Sequence, residues 1–348
     1  SLLTYLLLAL LITIIWSLLD RKRPSYRIFS KWFFLFISYY LMVQMLIYGF
    51  IKVFNLQFGS LSLEQLFQSY GYSSPLRLMW TFMGASHTYS FFSGMIEVVA
   101  GVLLIFRRTR VLGGMAAFGV MLNVFVMNIS YDVPVKLFSF IYMCLGLLIV
   151  LADYRRWWAL LIEGKNEIPI TVYQPIFQLR RNQRILIVFQ TLFVGLLVVS
   201  QILAGTMNQK QYGKQRTKPA LYGIYTVDKF VKNQQVVPPL VTDSLRWHRL
   251  LIDYPNFVTV ITMDNQFKRY RAKTDTVKKQ MILSTRQDTT SKYVMKYTQT
   301  GKDLRLSGIL QNKELDITFK YYSLKNFLLL NRGFHWVNEA PYNHYLPK

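Results

Sequence analysis

Six long runs of predominantly apolar residues occupy most of the first 204 residues of this 348-residue chain. About 20 such residues in an α-helix span the hydrocarbon core of a bilayer. The sequence therefore predicts an α-helical membrane bundle with six transmembrane helices. The predicted helices cover residues 2–19, 32–50, 81–106, 111–129, 137–152 and 185–204.

The first apolar run is interpreted as a retained helix. Its basic cluster, Arg21 to Arg23, follows the apolar residues, whereas a secretory signal peptide has its positive charges in front of them. No small-residue cleavage site comes after the run. We therefore expect the N-terminus to be extracytoplasmic.

Positive charge in the loops predicts the topology. Loops 20–31, 107–110 and 153–184 carry 5, 3 and 6 Lys or Arg residues, whereas loops 51–80 and 130–136 carry 2 and 1. Basic loops stay in the cytoplasm, and strict alternation of six helices puts the three rich loops on one side. The sequence predicts a multi-pass protein of the cytoplasmic (inner) membrane, with its C-terminal part extracytoplasmic, in a periplasm where one exists.

The pattern changes after residue 204, where a linker (205–220) precedes a β domain (221–348). Short alternating runs separated by turn signals predict an all-β antiparallel sandwich or small barrel, and a closed barrel of about eight strands can hold one small ligand. The predicted strands are 221–229, 245–252, 257–263, 267–272, 279–284, 292–298, 303–307, 315–322 and 327–330.

Ionisable and amide side chains inside the predicted bundle form a candidate ligand site, because polar groups at membrane depth mark function by default. Glu97 lies near the middle of the third predicted helix. Counting residues along the neighbouring helices places one set of polar side chains at the same membrane depth as Glu97 and a second set nearer the extracytoplasmic side. This intramembrane seam comprises Glu97, Gln44, Tyr48, Lys52, His87, Asn123, Asn128, Asp132 and Lys136. The alternative is structural, because buried polar side chains also join membrane helices.

The sequence contains no recognisable set of catalytic residues. The single cysteine, Cys144, excludes an intrachain disulfide, a CxxC redox motif and a cysteine-based zinc site. There is no GxGxxG, P-loop or HExxH sequence, and His87 alone cannot give a bis-histidine haem. The sequence predicts no metal site and shows no evident cofactor, and it leaves open whether the protein is an enzyme.

Several segments of the predicted bundle resemble the DoxX-like membrane protein family. They are Tyr48 to Phe54, Phe92 to Gly101, the Arg107–Arg108 turn and Asn128 to Lys136, within residues 32–152. The resemblance implies a four-helix inner-membrane core and, as in some members, a subunit of a quinone-linked redox system, with quinone as a possible cofactor. The chain lacks the cysteines that a sulfur relay would use.

The β domain is strongly basic. Residues 205–348 carry 24 Lys or Arg against 10 Asp or Glu, a net charge of +14, which favours anionic partners such as lipid headgroups or surface polymers. An extracytoplasmic position argues against nucleic acid. Its tail supplies further candidate contacts: Arg332, His335, Trp336, Asn338 and Glu339.

Three functions remain open at this point. The preferred hypothesis is a binding or scaffold protein that recruits a lipid, an anionic ligand, or a partner subunit of the membrane or periplasm. The first alternative is the DoxX-like quinone-linked subunit. The second is a proton-linked transporter in which Glu97 carries the proton.

The topology can be tested by cysteine labelling. In intact or outer-permeabilised cells, a membrane-impermeant thiol reagent should label Gln311→Cys in the β domain. The same reagent should leave Thr109→Cys in a basic loop unlabelled. Reversed labelling would overturn the charge argument.

Overall fold

The computed structural model describes residues 2–21, 23, 25–164, 176–213, 215–285, 292–333 and 335–337. The chain forms two compact units. The helical unit comprises Ser1–Ile51 with Phe92–Ala204, and the barrel unit comprises Lys52–Phe91 with Gly205–Lys348. We call Lys52–Phe91 the docking segment, because it packs on the β domain within the second unit.

The N-terminal part of the chain is helical, as predicted. The helices are α1 (Leu2–Leu19), α2 (Arg27–Val53), α3 (Pro75–Ala85), α4 (His87–Ile105), α5 (Arg110–Ser130), α6 (Lys136–Leu151), α7 (Tyr154–Leu161) and α8 (Arg180–Gln211). Within the described residues, α2, α4, α5 and α8 are long and apolar enough to span a membrane, and α1 and α6 are shorter apolar helices.

The predicted helix 81–106 is wrong in its first part, because the chain breaks at Ser86. Ser86 has an extended backbone, and its side-chain oxygen accepts a hydrogen bond from the Tyr89 backbone N–H at 3.2 Å. This contact caps the start of α4. A second start signal lies upstream, where Ser74 accepts from the Arg77 N–H and Pro75 occupies the first turn of α3.

Close backbone contacts hold the helical unit together. A Cβ atom on Gly49 of α2 would lie 2.8 Å from Val98 Cγ2 of α4. A Cβ atom on Gly146 of α6 would lie 2.9 Å from the Phe118 backbone nitrogen of α5. Small residues that let helices approach this closely are typical of helix packing in membranes.

Apolar side chains also cover the outside of the helical unit. On α1, Leu6 and Ile12 are 60% and 58% exposed, and on α8, Phe189 and Leu196 are 67% and 71% exposed. Water is a poor solvent for such surfaces, whereas lipid chains are a good one. The exposed apolar surface and the hydropathy of the helices are therefore both compatible with a membrane protein.

The β domain is a closed antiparallel barrel, which decides between the predicted sandwich and barrel. Eight strands follow one another around it, and closure comes from β1 pairing with β9 from Ile224↔Tyr322 to Lys232↔Leu315, while β2 only extends β1. The strands are β1 (Gly223–Lys232), β2 (Gln235–Val236), β3 (Trp247–Tyr254), β4 (Phe257–Thr262), β5 (Phe267–Asp275), β6 (Gln280–Thr285), β7 (Tyr293–Thr300), β8 (Asp303–Leu310) and β9 (Lys313–Tyr322).

The predicted last strand, 327–330, is wrong. Since β9 already pairs with β1, no edge remains for another strand. Ser323 accepts a hydrogen bond from the Lys325 N–H, and the chain turns into the short helix α9 (Leu328–Asn331).

Side chains fill the inside of the barrel. Met281, Met295, Leu306 and Phe319 are completely buried there. The pocket at one end, beside Trp247, has a volume of about 90 Å³, well below the roughly 300 Å³ at which small-molecule sites begin. The described interior is therefore a packed core and has no room for the ligand that a barrel of this size can hold.

The barrel has a second apolar surface on its outer wall. Ile224 of β1, Leu251 of β3 and Ile261 of β4 are at most 1% exposed. Leu63 of the docking segment completes this buried cluster. The start of the docking segment is also held, because the Gln209 side chain donates a hydrogen bond to the Phe54 carbonyl at 2.8 Å.

The contribution of Leu63 to docking is measurable. Leu63 is 2% exposed, and truncating such a leucine to alanine costs about 2–5 kcal/mol. In Leu63→Ala, hydrogen exchange on the full-length protein should accelerate in residues 60–72 but not in β9. The control is Leu240→Ala, which alters a 58% exposed leucine. Unchanged exchange in Leu63→Ala would contradict the docking interpretation.

Candidate functional site

Glu97 lies in the centre of the helical unit. Its side chain is completely buried on α4, next to Val98, which meets Gly49 of α2 across the tight helix contact. Gln44 of α2 is half-buried. The tight contact between α2 and α4 thus lies one residue away from Glu97 along the chain.

Tyr48 faces a cluster of tyrosines. Its ring centroid lies 6.4 Å from that of Tyr142 on α6, and the Tyr40 ring lies 6.2 Å from Tyr142. Tyr48 is 37% exposed, and Tyr142 is 5% exposed. The structure thus places Tyr48 beside Tyr142, a residue that the sequence-based seam did not include.

The other residues of the seam in the helical unit have local partners or are exposed. Asn128 is buried, and its Nδ2 donates to Ser139 Oγ at 3.0 Å. Lys136 donates to the Asp132 carboxylate at 2.5 Å in an exposed pair. Asn123 is exposed. Asn123 and Asn128 thus lie on α5, Asp132 lies in the turn after it, and Lys136 is the first residue of α6.

Two seam residues and the tail belong to the barrel unit. Lys52 is 5% exposed, and His87 is half-buried at the first residue of α4. In the tail, His335 Nε2 lies 2.9 Å from the half-buried Arg332's carbonyl oxygen, and Trp336 is 89% exposed. Asn338 and Glu339 lie outside the described residues.

A carboxylate of the docking segment binds the barrel wall at one point. Arg269 of β5 donates from Nε to Glu64 Oε1 at 2.9 Å and from Nη2 to Oε2 at 2.5 Å. Thr259, which pairs with Arg269 across β4 and β5, also donates its hydroxyl to Glu64. Such a bidentate pair fixes orientation as well as position.

The environment of Glu64 lowers its pKa. Burial alone would raise the pKa of this carboxyl group. Hydrogen bonds from Arg269 and Thr259, together with the charges of Arg269 and Arg77, outweigh that effect and hold the pKa below the ordinary value of 4.5. The carboxylate is therefore ionised at neutral pH.

A second contact holds the docking segment at Leu63, the residue before Glu64. Asp253 of β3 accepts a hydrogen bond from the Leu63 backbone N–H at 3.0 Å and pairs with Arg216. The Arg216 guanidinium lies 4.0 Å from the Tyr254 ring centroid, which is cation–π geometry. With Leu63 held by its backbone and Glu64 by its side chain, the segment is fixed on the wall.

The fixed segment forms one side of a cleft of about 590 Å³, which we call the polar cleft. The β4–β5 turn, where Asn265 has a φ of 61°, forms the other side. The cleft combines amides, two arginines, two carboxylates and two aromatic rings. Its lining residues are Glu64, Gln68, Ser69, Tyr72, Arg77, Asp264, Asn265, Gln266, Phe267 and Arg269.

Groups in the polar cleft are partly paired already. Arg77 donates to Gln68, and Asp264 accepts from the Thr262 hydroxyl at 2.5 Å. Tyr72 is 89% exposed at the rim. A volume within the roughly 300–1,000 Å³ of ordinary ligand sites, with few but varied polar groups, can hold a polar organic molecule.

Unpaired positive charge continues from the cleft along the barrel surface. Arg271 and Lys273 of β5 and Lys296 of β7 are exposed, and none forms a salt bridge within the described part of the chain. On β8 and β9, Arg305 pairs with Asp316 at 2.5 Å and Lys320 pairs with Asp228 at 2.8 Å. The exposed cations of β5 and β7 therefore differ from these two in lacking a carboxylate partner among the described residues.

No group of three or more His, Cys, Asp or Glu residues arranged to hold an ion occurs among the described residues.

The polar cleft was not predicted from the sequence, because residues 51–80 were interpreted as a plain loop. One signal was present. In Leu250–Ile252 of β3 and Val260–Ile261 of β4, apolar residues follow one another directly, whereas a strand with one solvent-facing side alternates. Strands buried on both faces imply a covering segment, although the pattern does not say which one.

The chain is similar to the "Uncharacterized protein YwoB" of Bacillus subtilis (strain 168). The two are 32% identical over 118 residues, which is 34% of this chain and 74% of YwoB. No family model matches the chain, and no solved structure matches it.

The Glu64 contact predicts a pH dependence of docking. Because the folded-state pKa lies below the ordinary value of 4.5, ionised Glu64 stabilises the docked segment above that pH. This stabilisation is lost as the pH falls through the folded-state pKa. Proteolysis of residues 60–72 in the full-length protein should therefore accelerate below about pH 4.5. Glu64→Gln should be cleaved faster than the parent protein at neutral pH, and its cleavage rate should not rise further below pH 4.5. If the variant and the parent protein have the same pH profile, Glu64 does not control docking.

Proposed function

The chain belongs to the same family as YwoB, and from the geometry of its two units we propose that it is an integral membrane binding or scaffold protein. The polar cleft of the barrel unit is the binding site in this proposal. The observation that carries it is the 590 Å³ cleft, whose one wall is fixed to the barrel by Glu64 and Leu63.

We propose six membrane crossings in the cytoplasmic membrane. The apolar helices α2, α4, α5 and α8, with the shorter α1 and α6, support this number. The excess of Lys and Arg in loops 20–31, 107–110 and 153–184 supports a cytoplasmic position for them. The N-terminus and the barrel unit are then extracytoplasmic.

The ligand that suits the polar cleft best is an acidic surface glycan. Amides and carboxylates pair with sugar hydroxyl groups, and an exposed ring such as Tyr72 offers a flat apolar face for a sugar ring. The net charge of +14 on residues 205–348, to which the exposed Arg271, Lys273 and Lys296 contribute, draws an anionic polymer towards the cleft.

The alternatives of the sequence analysis stay predictions. A DoxX-like quinone-linked subunit and a proton-linked transporter both require Glu97 to contact a ligand or exchange a proton. The tight packing of Gly49 on α4 beside Glu97 supports a role in joining helices instead.

Tyr72 allows a direct test, because its neighbour Tyr70 is a matched control. Tyr72 lines the cleft and is 89% exposed, whereas Tyr70 in the same short helical turn is 78% exposed and does not line it. Tyr72→Ala should weaken binding of an oligogalacturonate about tenfold, about 1.4 kcal/mol, in calorimetry on the full-length protein in detergent. Tyr70→Ala should bind normally.

Binding should also depend on the acidic groups of the glycan. A neutral galactose oligomer of equal length should bind at least tenfold more weakly than the oligogalacturonate. Equal affinity for the two sugars would remove the electrostatic part of the proposal. Absence of binding, or equal losses in Tyr70→Ala and Tyr72→Ala, would overturn the cleft as the site.

A further inference from the structure

A second pocket lies in the helical unit, and its lining is strongly basic. We call it the basic pocket; its volume is about 470 Å³, which is also within the ordinary range of ligand sites. Four cationic side chains line it: Lys31, Arg107, Arg108 and Arg110. Among the described residues that line it there is no Asp or Glu.

The turn between α4 and α5 is held firmly in this pocket. The Thr109 hydroxyl donates to the Leu103 carbonyl at 2.7 Å, and buried Arg110 donates from Nε to the Leu104 carbonyl at 3.4 Å. Arg107 and Arg108 lie between these fixed points and are exposed. Their positions are therefore set by the turn while their charged groups remain available.

Helix α8 supplies the facing wall. Gln183, Leu186, Ile187 and Gln190 all line the pocket, and their spacing of three, four and seven residues puts them on one helix face. This face offers two amide groups and two apolar side chains. The pocket therefore combines positive charge, hydrogen-bonding groups and an apolar surface.

An apolar groove adjoins the basic pocket. It has a volume of about 420 Å³, includes Trp32 and Phe189, and shares Leu186 with the basic pocket. Trp32 follows directly after Lys31 on α2. A charged pocket and an apolar groove that meet at one side chain match a ligand with an anionic head and an apolar tail.

We propose that the basic pocket binds the phosphate headgroup of an acidic phospholipid, with an acyl chain in the apolar groove. Basic pockets between membrane helices suit such headgroups, and arginine pairs with phosphate through two hydrogen bonds. A soluble phosphate would use the cations but would gain nothing from Trp32 and Phe189. The juxtaposition of pocket and groove thus favours a lipid.

The test uses the full-length protein, stripped of lipid in detergent, with phosphatidylglycerol as the probe and native mass spectrometry or fluorescence titration as the readout. Phosphatidylglycerol should bind saturably and at least tenfold more tightly than phosphatidylcholine. The double variant Arg107→Gln/Arg108→Gln should lose this preference. Both arginines are exposed, so the variant should keep the thermal melt of the parent protein.

A matched control separates a site from general attraction. Arg180→Gln/Arg181→Gln removes the same charge from exposed positions at the start of α8 that do not line the pocket, and it should bind the lipid normally. Equal losses in both double variants would overturn the proposed site. If glycerol phosphate competes as strongly as phosphatidylglycerol itself, the pocket binds a soluble anion. If phosphatidylcholine binds as tightly as phosphatidylglycerol, the pocket does not recognise the headgroup. Either result rejects the lipid proposal.

The result is independent of the glycan experiment. The probe here is a lipid and the altered residues lie in the helical unit, whereas the glycan test alters Tyr72 of the barrel unit. Failure of one proposal leaves the other unaffected.

Discussion

Burial of the outer wall of the barrel is the interaction on which the second unit depends. Ile224, Leu251 and Ile261 form a buried cluster separate from the filled interior, and Leu63 of the docking segment lies in this cluster with Leu66 and Phe67 packed against it. Leaving a large aliphatic side chain exposed costs about 1.5–3 kcal/mol relative to burying it. The Glu64–Arg269 pair and the hydrogen bond from the Leu63 N–H to Asp253 add direction to this apolar contact. Apolar burial supplies the driving force, and the polar contacts fix the register of the segment.

The same interaction creates the polar cleft. One wall of the cleft consists of the docking segment, so its shape requires that segment to be fixed. Arg269 serves both purposes, since it binds Glu64 and also lines the cleft. An ion pair this exposed contributes little stability by itself, typically up to about 1 kcal/mol. Its importance here is geometric, because it positions the residues that follow Glu64 along the chain.

Sequence patterns predicted the elements better than they predicted the sites. Apolar runs located the helices, and alternation located eight barrel strands, because these signals are local. The break at Ser86 also had a local signal, because serine is a favoured N-cap residue. The continuous hydropathy of residues 81–106 concealed this signal. The polar cleft could not be predicted from the sequence, because Glu64 and Arg269 are 205 positions apart in the chain. The basic pocket likewise joins Lys31, Arg107 and Gln183, which no spacing rule connects.

The two proposed sites differ in how their charges are balanced, and this difference determines the kind of ligand each can hold. In the polar cleft, Arg269 and Glu64 neutralise each other, so affinity inside the cleft comes from hydrogen bonds and from contact with rings such as Tyr72. Attraction for the acidic groups of a ligand comes from exposed cations of β5 outside the cleft, Arg271 and Lys273. In the basic pocket, Arg107 and Arg108 face a lining without carboxylates among the described residues, so affinity comes largely from charge. Coulomb attraction is stronger where hydrocarbon excludes water. A phosphate that carries an acyl chain would also contact the adjoining apolar groove at Trp32 and Phe189, which a free phosphate cannot do, and this added contact is the physical basis for assigning the basic pocket to a lipid.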